Sequence, residues 1–157
     1  MWIGTSPAGA VAWNTYEDKL RALTQWFQST GEIWGISPDA LIDWKGHLTF
    51  TDAYAARGLE HFFVQHFATL TRFSALRAWR VIIGAHGLEG SVLPGTRYAR
   101  GSWSALTDAA RFEQRVTEPS AAVAHEITFG FMRRIYDAYG APNLDAATYE
   151  RLLRKDA

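Results

Sequence analysis

The sequence has no cysteine, which excludes disulfides, thiolate metal ligands and a thiol nucleophile, and leaves the cytoplasm as the expected compartment. It has no excess charge of either sign. Sixteen basic residues stand against 16 acidic ones, so no whole-molecule field draws the chain to nucleic acid, an anionic membrane or an acidic ligand. Any such binding has to come from a local patch. No apolar run reaches the ~18 residues of a membrane span, and Met1-Trp2-Ile3-Gly4-Thr5 lacks the basic start of a signal peptide, so a soluble, unprocessed protein with no membrane partner is expected. Phosphate-binding glycine loops of the P-loop or Rossmann pattern are missing, and so is a Gly-x-Ser-x-Gly nucleophile elbow.

Aromatic residues, by contrast, make up 14% of the chain, and the seven tryptophans are spread from Trp2 to Trp103. That distribution suits core or interface anchors better than one stacking platform. With 157 residues and 48% apolar content, the chain reads as a single domain over 1–157. Periodicity predicts a mainly α fold. Tyr16, Leu20, Leu23, Trp26 and Phe27 fall at helical steps between Asn14 and Ser29, and a second, short helix is expected over Pro38–Trp44, capped by Ser37. A third helix starts at Thr49 or Thr51 and runs to about Phe67, and a fourth runs from Thr71 through Phe73, Leu76, Trp79 and Ile83 to a stop at Gly84 and Gly87. Two β-like runs, Val92-Leu93-Pro94 and Ser102-Trp103-Ser104, predict a small hairpin. Asp108–Arg115 reads as a helical turn. Helices are expected from Glu118-Pro119 to Tyr139 and, capped by Asn143 or Asp145, through Leu153.

Gly35-Ile36-Ser37, then Ala40-Leu41 and Trp44, then Leu48-Thr49-Phe50-Thr51-Asp52 give the spacing of a compact helix-turn-helix. With Leu76-Arg77-Ala78 and the pairs Arg97-Tyr98 and Arg100-Gly101, this stretch over residues 33–106 resembles the MerR-like winged helix-turn-helix domains of some bacterial regulators and VapB-type antitoxins. The resemblance implies a DNA-binding, transcription-regulating protein, with Ser37, Asp39 and Ala40 at base edges and Lys45, Arg72, Arg77, Arg97 and Arg100 on phosphates. It also implies a C-terminal segment, 107–157, that meets a protein partner from Pro119 onward. The family usually places Arg or Lys inside the recognition helix, whereas this chain has Asp39, Ile42 and Asp43. Each Asp works against the counterion release that supplies most DNA affinity.

Two other functions compete with that reading. Arg80 and His86, six positions apart, resemble the arginine–histidine pair of helical HEPN-type ribonucleases, although Val81 stands where that family commonly has a polar residue. The resemblance implies His86 as general acid or base and Arg80 as the group stabilising phosphorane-like charge, usually across a dimer interface. Alternatively, a protein-binding adaptor that kept the scaffold without its DNA contacts explains the two aspartates directly. The remaining histidines suggest no metal site: His61 and His66 lie about 140° apart on a helix, and His125-Glu126 lacks the second histidine of a zinc-protease motif because position 129 is Phe129. No cofactor is expected. The sequence therefore predicts a cytoplasmic DNA-associated regulator or antitoxin that binds double-stranded DNA as a homodimer or with a protein partner.

Overall fold

The computed structural model describes residues 2–73, 78–95 and 101–154. The chain divides into two compact units, residues 1–40 and 41–157. In the first, β1 (Trp2–Ser6), β2 (Gly9–Tyr16), β3 (Lys19–Phe27) and β4 (Glu32–Ile36) form an antiparallel meander in that order. The helix expected over Asn14–Ser29 is thus a hairpin. Its turn is Glu17-Asp18, with both residues at positive φ, 49° and 59°. That is the geometry of a two-residue hairpin turn, but without the Asn-Gly or Asp-Gly pair that reveals one in a sequence. The register slips between Asn14 and Thr15, which pair with Ala22 and Leu20, so Arg21 is the extra residue of a bulge. Its guanidinium reaches Asp39 at 2.7 Å and lies 5.4 Å from the Tyr16 ring.

The expected helix-turn-helix does not form. Pro38–Ala40 makes one 3-10 turn, and Leu41–Trp44 is a strand, β5, paired with β6 (His47–Phe50). The hairpin wins because Lys45 and Gly46 both adopt positive φ, 55° and 80°, while the Asp43 carboxylate accepts from the Gly46 N–H at 2.9 Å. Pairing Leu41 with Phe50 also brings Phe50 into the core, where it is 1% exposed.

From β6 the chain continues into α1 (Asp52–Phe73), β7 (Trp79–His86), β8 (Val92–Pro94), β9 (Ser102–Ser104), β10 (Ala109–Val116), α2 (Ala121–Ala138) and α3 (Ala146–Leu153). One sheet has the order β5-β6-β8-β9, with β6 and β8 parallel at Thr49 and Val92, and a separate ribbon pairs β7 with β10. The fold is mixed α/β, with 39% of the described residues in strands against 35% in helices, and not mainly α. The expected fourth helix is split between the end of α1 and β7. Trp79 and Ile83 satisfy a helical step, yet Val81 and Ile83 alternate with Arg80 and Ile82 at the period of a strand, and the strand is what forms. Asp108–Arg115 likewise falls mostly in β10. The β8–β9 hairpin matches the expected one, with Val92 opposite Ser104 and Pro94 opposite Ser102. Ser120 caps α2 by accepting from the Val123 N–H, and Asp145 caps α3 by accepting from the Thr148 N–H.

The core belongs to the second unit. Ile127, Phe131, Met132 and Ile135 of α2 are buried, and α2 packs against both α1 and β10. Among the described residues, no buried side chain precedes Thr49.

Candidate nucleic-acid interface

β7 and β10 pair along eight residues each, from Trp79 opposite Val116 to His86 opposite Ala109. Strand alternation gives this ribbon two faces. Val81, Ile83 and Val116 are buried on the inner face, where the Phe112 ring lies against Gly130 of α2. A Cβ on Gly130 would stand 2.7 Å from that ring, so glycine is what lets helix and strand approach. The outer face carries Arg80, Ile82, Gly84 and His86 from β7 and Arg111, Glu113 and Arg115 from β10, all exposed. In register, Arg80 faces Arg115, Ile82 faces Glu113, and Gly84 faces Arg111.

Glu113 organises the charges. Arg80 Nε donates to Oε1 at 2.6 Å and Arg111 Nη2 to Oε2 at 2.8 Å. The Arg80 hydrogen bond is the main cause holding the Glu113 carboxyl below the usual carboxylate range, and the same bond raises the pKa of Arg80. One carboxylate among three guanidinium groups leaves the face positive. The side chains of Arg80 and Arg111 are 65% and 63% exposed, so both keep donors free of protein cover. A shallow recess lined by Arg80, Glu113 and Arg115, with Ala78 and Trp79, ends the ribbon. At the other end, His86 Nε2 lies 3.1 Å from Asp108 Oδ2. The zero net charge of the chain conceals this asymmetry: residues 72–115 hold seven arginines and only three carboxylates.

The residues expected at a DNA interface are placed differently. Ser37 is exposed and donates to the Arg21 carbonyl at 3.5 Å, Asp39 is bound by Arg21, and Ala40 closes the 3-10 turn. Lys45 sits in the β5–β6 turn with its ammonium 5.8 Å from the Trp44 ring. Arg72 is exposed in the last turn of α1. Arg77, Arg97 and Arg100 lie outside the described residues. Arg80 and His86 occupy opposite ends of β7, six residues or ~20 Å apart, and each has its own carboxylate partner. They do not converge within one chain.

A second polar cluster joins the three helices. Tyr149 of α3 donates to Glu60 of α1 at 3.0 Å, while His125 of α2 lies 3.4 Å from Glu60 and 3.3 Å from Glu150. Burial, reinforced by the Glu60 charge, pushes the Tyr149 hydroxyl far above its ordinary pKa. Among the described residues, no group of three His, Asp or Glu is arranged to hold a metal. The sequence pointed to His125 only beside Glu126 and not to this cluster, because Glu60 is 65 positions from His125 and 89 from Tyr149. It also passed over Arg111 and Arg115, and the period-2 alternation of 109–116 was the signal that could have found them. Comparison with protein-family models, curated proteins and solved structures gives no match to this chain. No helix among the described residues is long and apolar enough to cross a membrane.

Proposed function

We propose that the chain is a cytoplasmic nucleic-acid-associated protein that binds double-stranded DNA through the outer face of the β7–β10 ribbon. The observation that carries this reading is the cluster of Arg80, Arg111 and Arg115 on one exposed strand face, inside a segment with seven arginines against three carboxylates. An antiparallel two-stranded ribbon fits the major groove of B-DNA, and guanidinium forks match phosphate oxygens in pairs. Gly84 leaves the middle of the ribbon low, so flanking side chains can reach a phosphate backbone on either side. The geometry favours positioning over base readout, because the face offers charge and few neutral donors. Regulation or antitoxin action would then depend on what else the chain holds.

The test is a salt titration of the full chain on random duplex DNA. Two to three phosphate contacts predict log K falling with log salt at a slope of about −2 to −3. Combining Arg80→Ala, Arg111→Ala and Arg115→Ala should flatten that slope and weaken binding equally on all sequences. Absence of binding at low ionic strength, or an unaltered slope in the triple variant, refutes the proposal.

A further inference from the structure

The outer face of the β7–β10 ribbon has an apolar group at its centre. Ile82 stands in the middle of β7, opposite Glu113, and is 51% exposed. Among the described residues it is the one large apolar side chain on that face. Its neighbour on the same face, two positions on, is Gly84, and nothing in the chain itself requires glycine there. The φ of Gly84 is not positive, the register with β10 runs unbroken so no bulge needs it, and an added Cβ would meet nothing nearer than the Ala110 carbonyl oxygen at 3.7 Å, an ordinary contact. Gly130, by contrast, is crowded by the Phe112 ring at 2.7 Å. A glycine inside a strand weakens it, and one that neither packing nor backbone demands marks a close approach by something else. Arg111, the cross-strand partner of Gly84, turns its guanidinium along β10 to Glu113 and leaves the space over the glycine open.

We propose that Ile82 and the gap over Gly84 seat the 5-methyl group of a thymine, so that the ribbon prefers A·T-rich duplex DNA. This rests on the DNA-binding reading above and adds a base preference to it. The thymine methyl is the one apolar group that base edges present in the major groove, where every other position is a hydrogen-bond donor or acceptor. An isoleucine pressed against a cytosine amino group or a guanine oxygen strips it of water and returns no hydrogen bond, which disfavours G·C pairs. The placement of charge agrees. Arg80 and Arg115 lie one row to one side of the Ile82–Glu113 pair and Arg111 one row to the other. The Glu113 carboxylate repels phosphate from the central row, while the guanidinium groups draw the two backbones to the flanks, so base edges are what meets the centre of the ribbon.

Replacing thymine by uracil removes only the methyl group, so the test compares binding of the full chain to alternating dA-dT and alternating dA-dU duplexes of equal length. The thymine duplex should bind about fourfold more tightly, the worth of burying one methyl group expressed as a ratio. Ile82→Ser should bring the ratio to one while leaving the salt slope of about −2 to −3 unchanged, because no phosphate contact is lost. Gly84→Val, whose branched side chain suits a strand, should also abolish the ratio by holding the base edge away from Ile82. Equal binding of the two duplexes by the wild type, with the salt slope intact, overturns the thymine preference and leaves the DNA reading standing. A ratio that survives in Ile82→Ser or Gly84→Val overturns the assignment to these residues. Failure of the wild type to bind either duplex at low salt overturns the DNA reading, and the thymine seat with it.

Discussion

Tyr149 is wholly buried, and its hydroxyl donates to Glu60 Oε2 at 3.0 Å. Replacing it with Phe removes that donor and leaves a half-buried carboxylate facing a ring edge. The expected loss is about 1–3 kcal/mol, the cost of an unsatisfied polar group, read as a lower urea midpoint at unchanged slope. Asp52 has a different sensitivity. Its carboxylate accepts from Tyr136 Oη at 2.8 Å and from the Ala53 N–H at 2.7 Å, yet burial dominates and raises its pKa above the ordinary 3.8. Between the ordinary and the raised value the folded state binds more proton than the unfolded state, so this group's contribution to stability falls as pH rises and then levels off. Asp52→Asn cannot titrate. Relative to the wild type, that variant should gain stability as pH is raised from about 4 towards neutrality; a pH-independent difference in urea midpoints would contradict the assignment.

At the scale of elements, the approach of α2 to β10 turns on Gly130 and Phe112. Gly130→Ala should favour the helix by up to ~1 kcal/mol but drive its methyl into the Phe112 ring, for a net loss of about 1 kcal/mol by chemical denaturation. In a Phe112→Leu background the same change should stabilise, and additivity of the two would show that the contact is not what matters. The legibility of the sequence divides along the same lines. Ends set by local chemistry were readable: the start of α2 just after Glu118-Pro119 and its end at Tyr139, the cap at Asp145, and the β8–β9 pair. Asn14–Ser29 and Thr71–Ile83 were not, because their apolar residues satisfy both a helical and a strand period, and the choice falls to partners far along the chain, such as Val116 for Trp79. The positive φ of Glu17 and Lys45 hid two hairpin turns behind residues that rarely form them. The arginines of the ribbon were half visible. Arg80 was singled out for another role, while Arg111 and Arg115 were absorbed into a presumed helical turn.

For the whole molecule, the uneven distribution of the core has a measurable outcome. Every buried side chain among the described residues lies in 41–157, so that fragment should fold alone with a cooperative urea transition close to that of the full chain. If the ribbon binds duplex DNA as proposed, the fragment should retain that binding. Residues 1–40 carry four carboxylates against two basic groups, and the remainder carries 14 basic against 12 acidic residues, so removing the first unit should, if anything, tighten binding at low salt. A fragment that melts without cooperativity, or loses DNA binding while folded, would put residues 1–40 into the function itself.

The parallel pairing of Thr49 with Val92 sets the order of events in folding. It joins the β5–β6 hairpin to the β8–β9 hairpin across 43 positions of sequence, with all of α1 and β7 between them. Each hairpin can close locally in microseconds, but the seam between them must wait until the crossover has settled. Substitutions at Thr49 or Val92 should therefore accelerate unfolding while leaving the folding rate nearly unchanged, marking this seam as the last part of the second unit to assemble and the first to open.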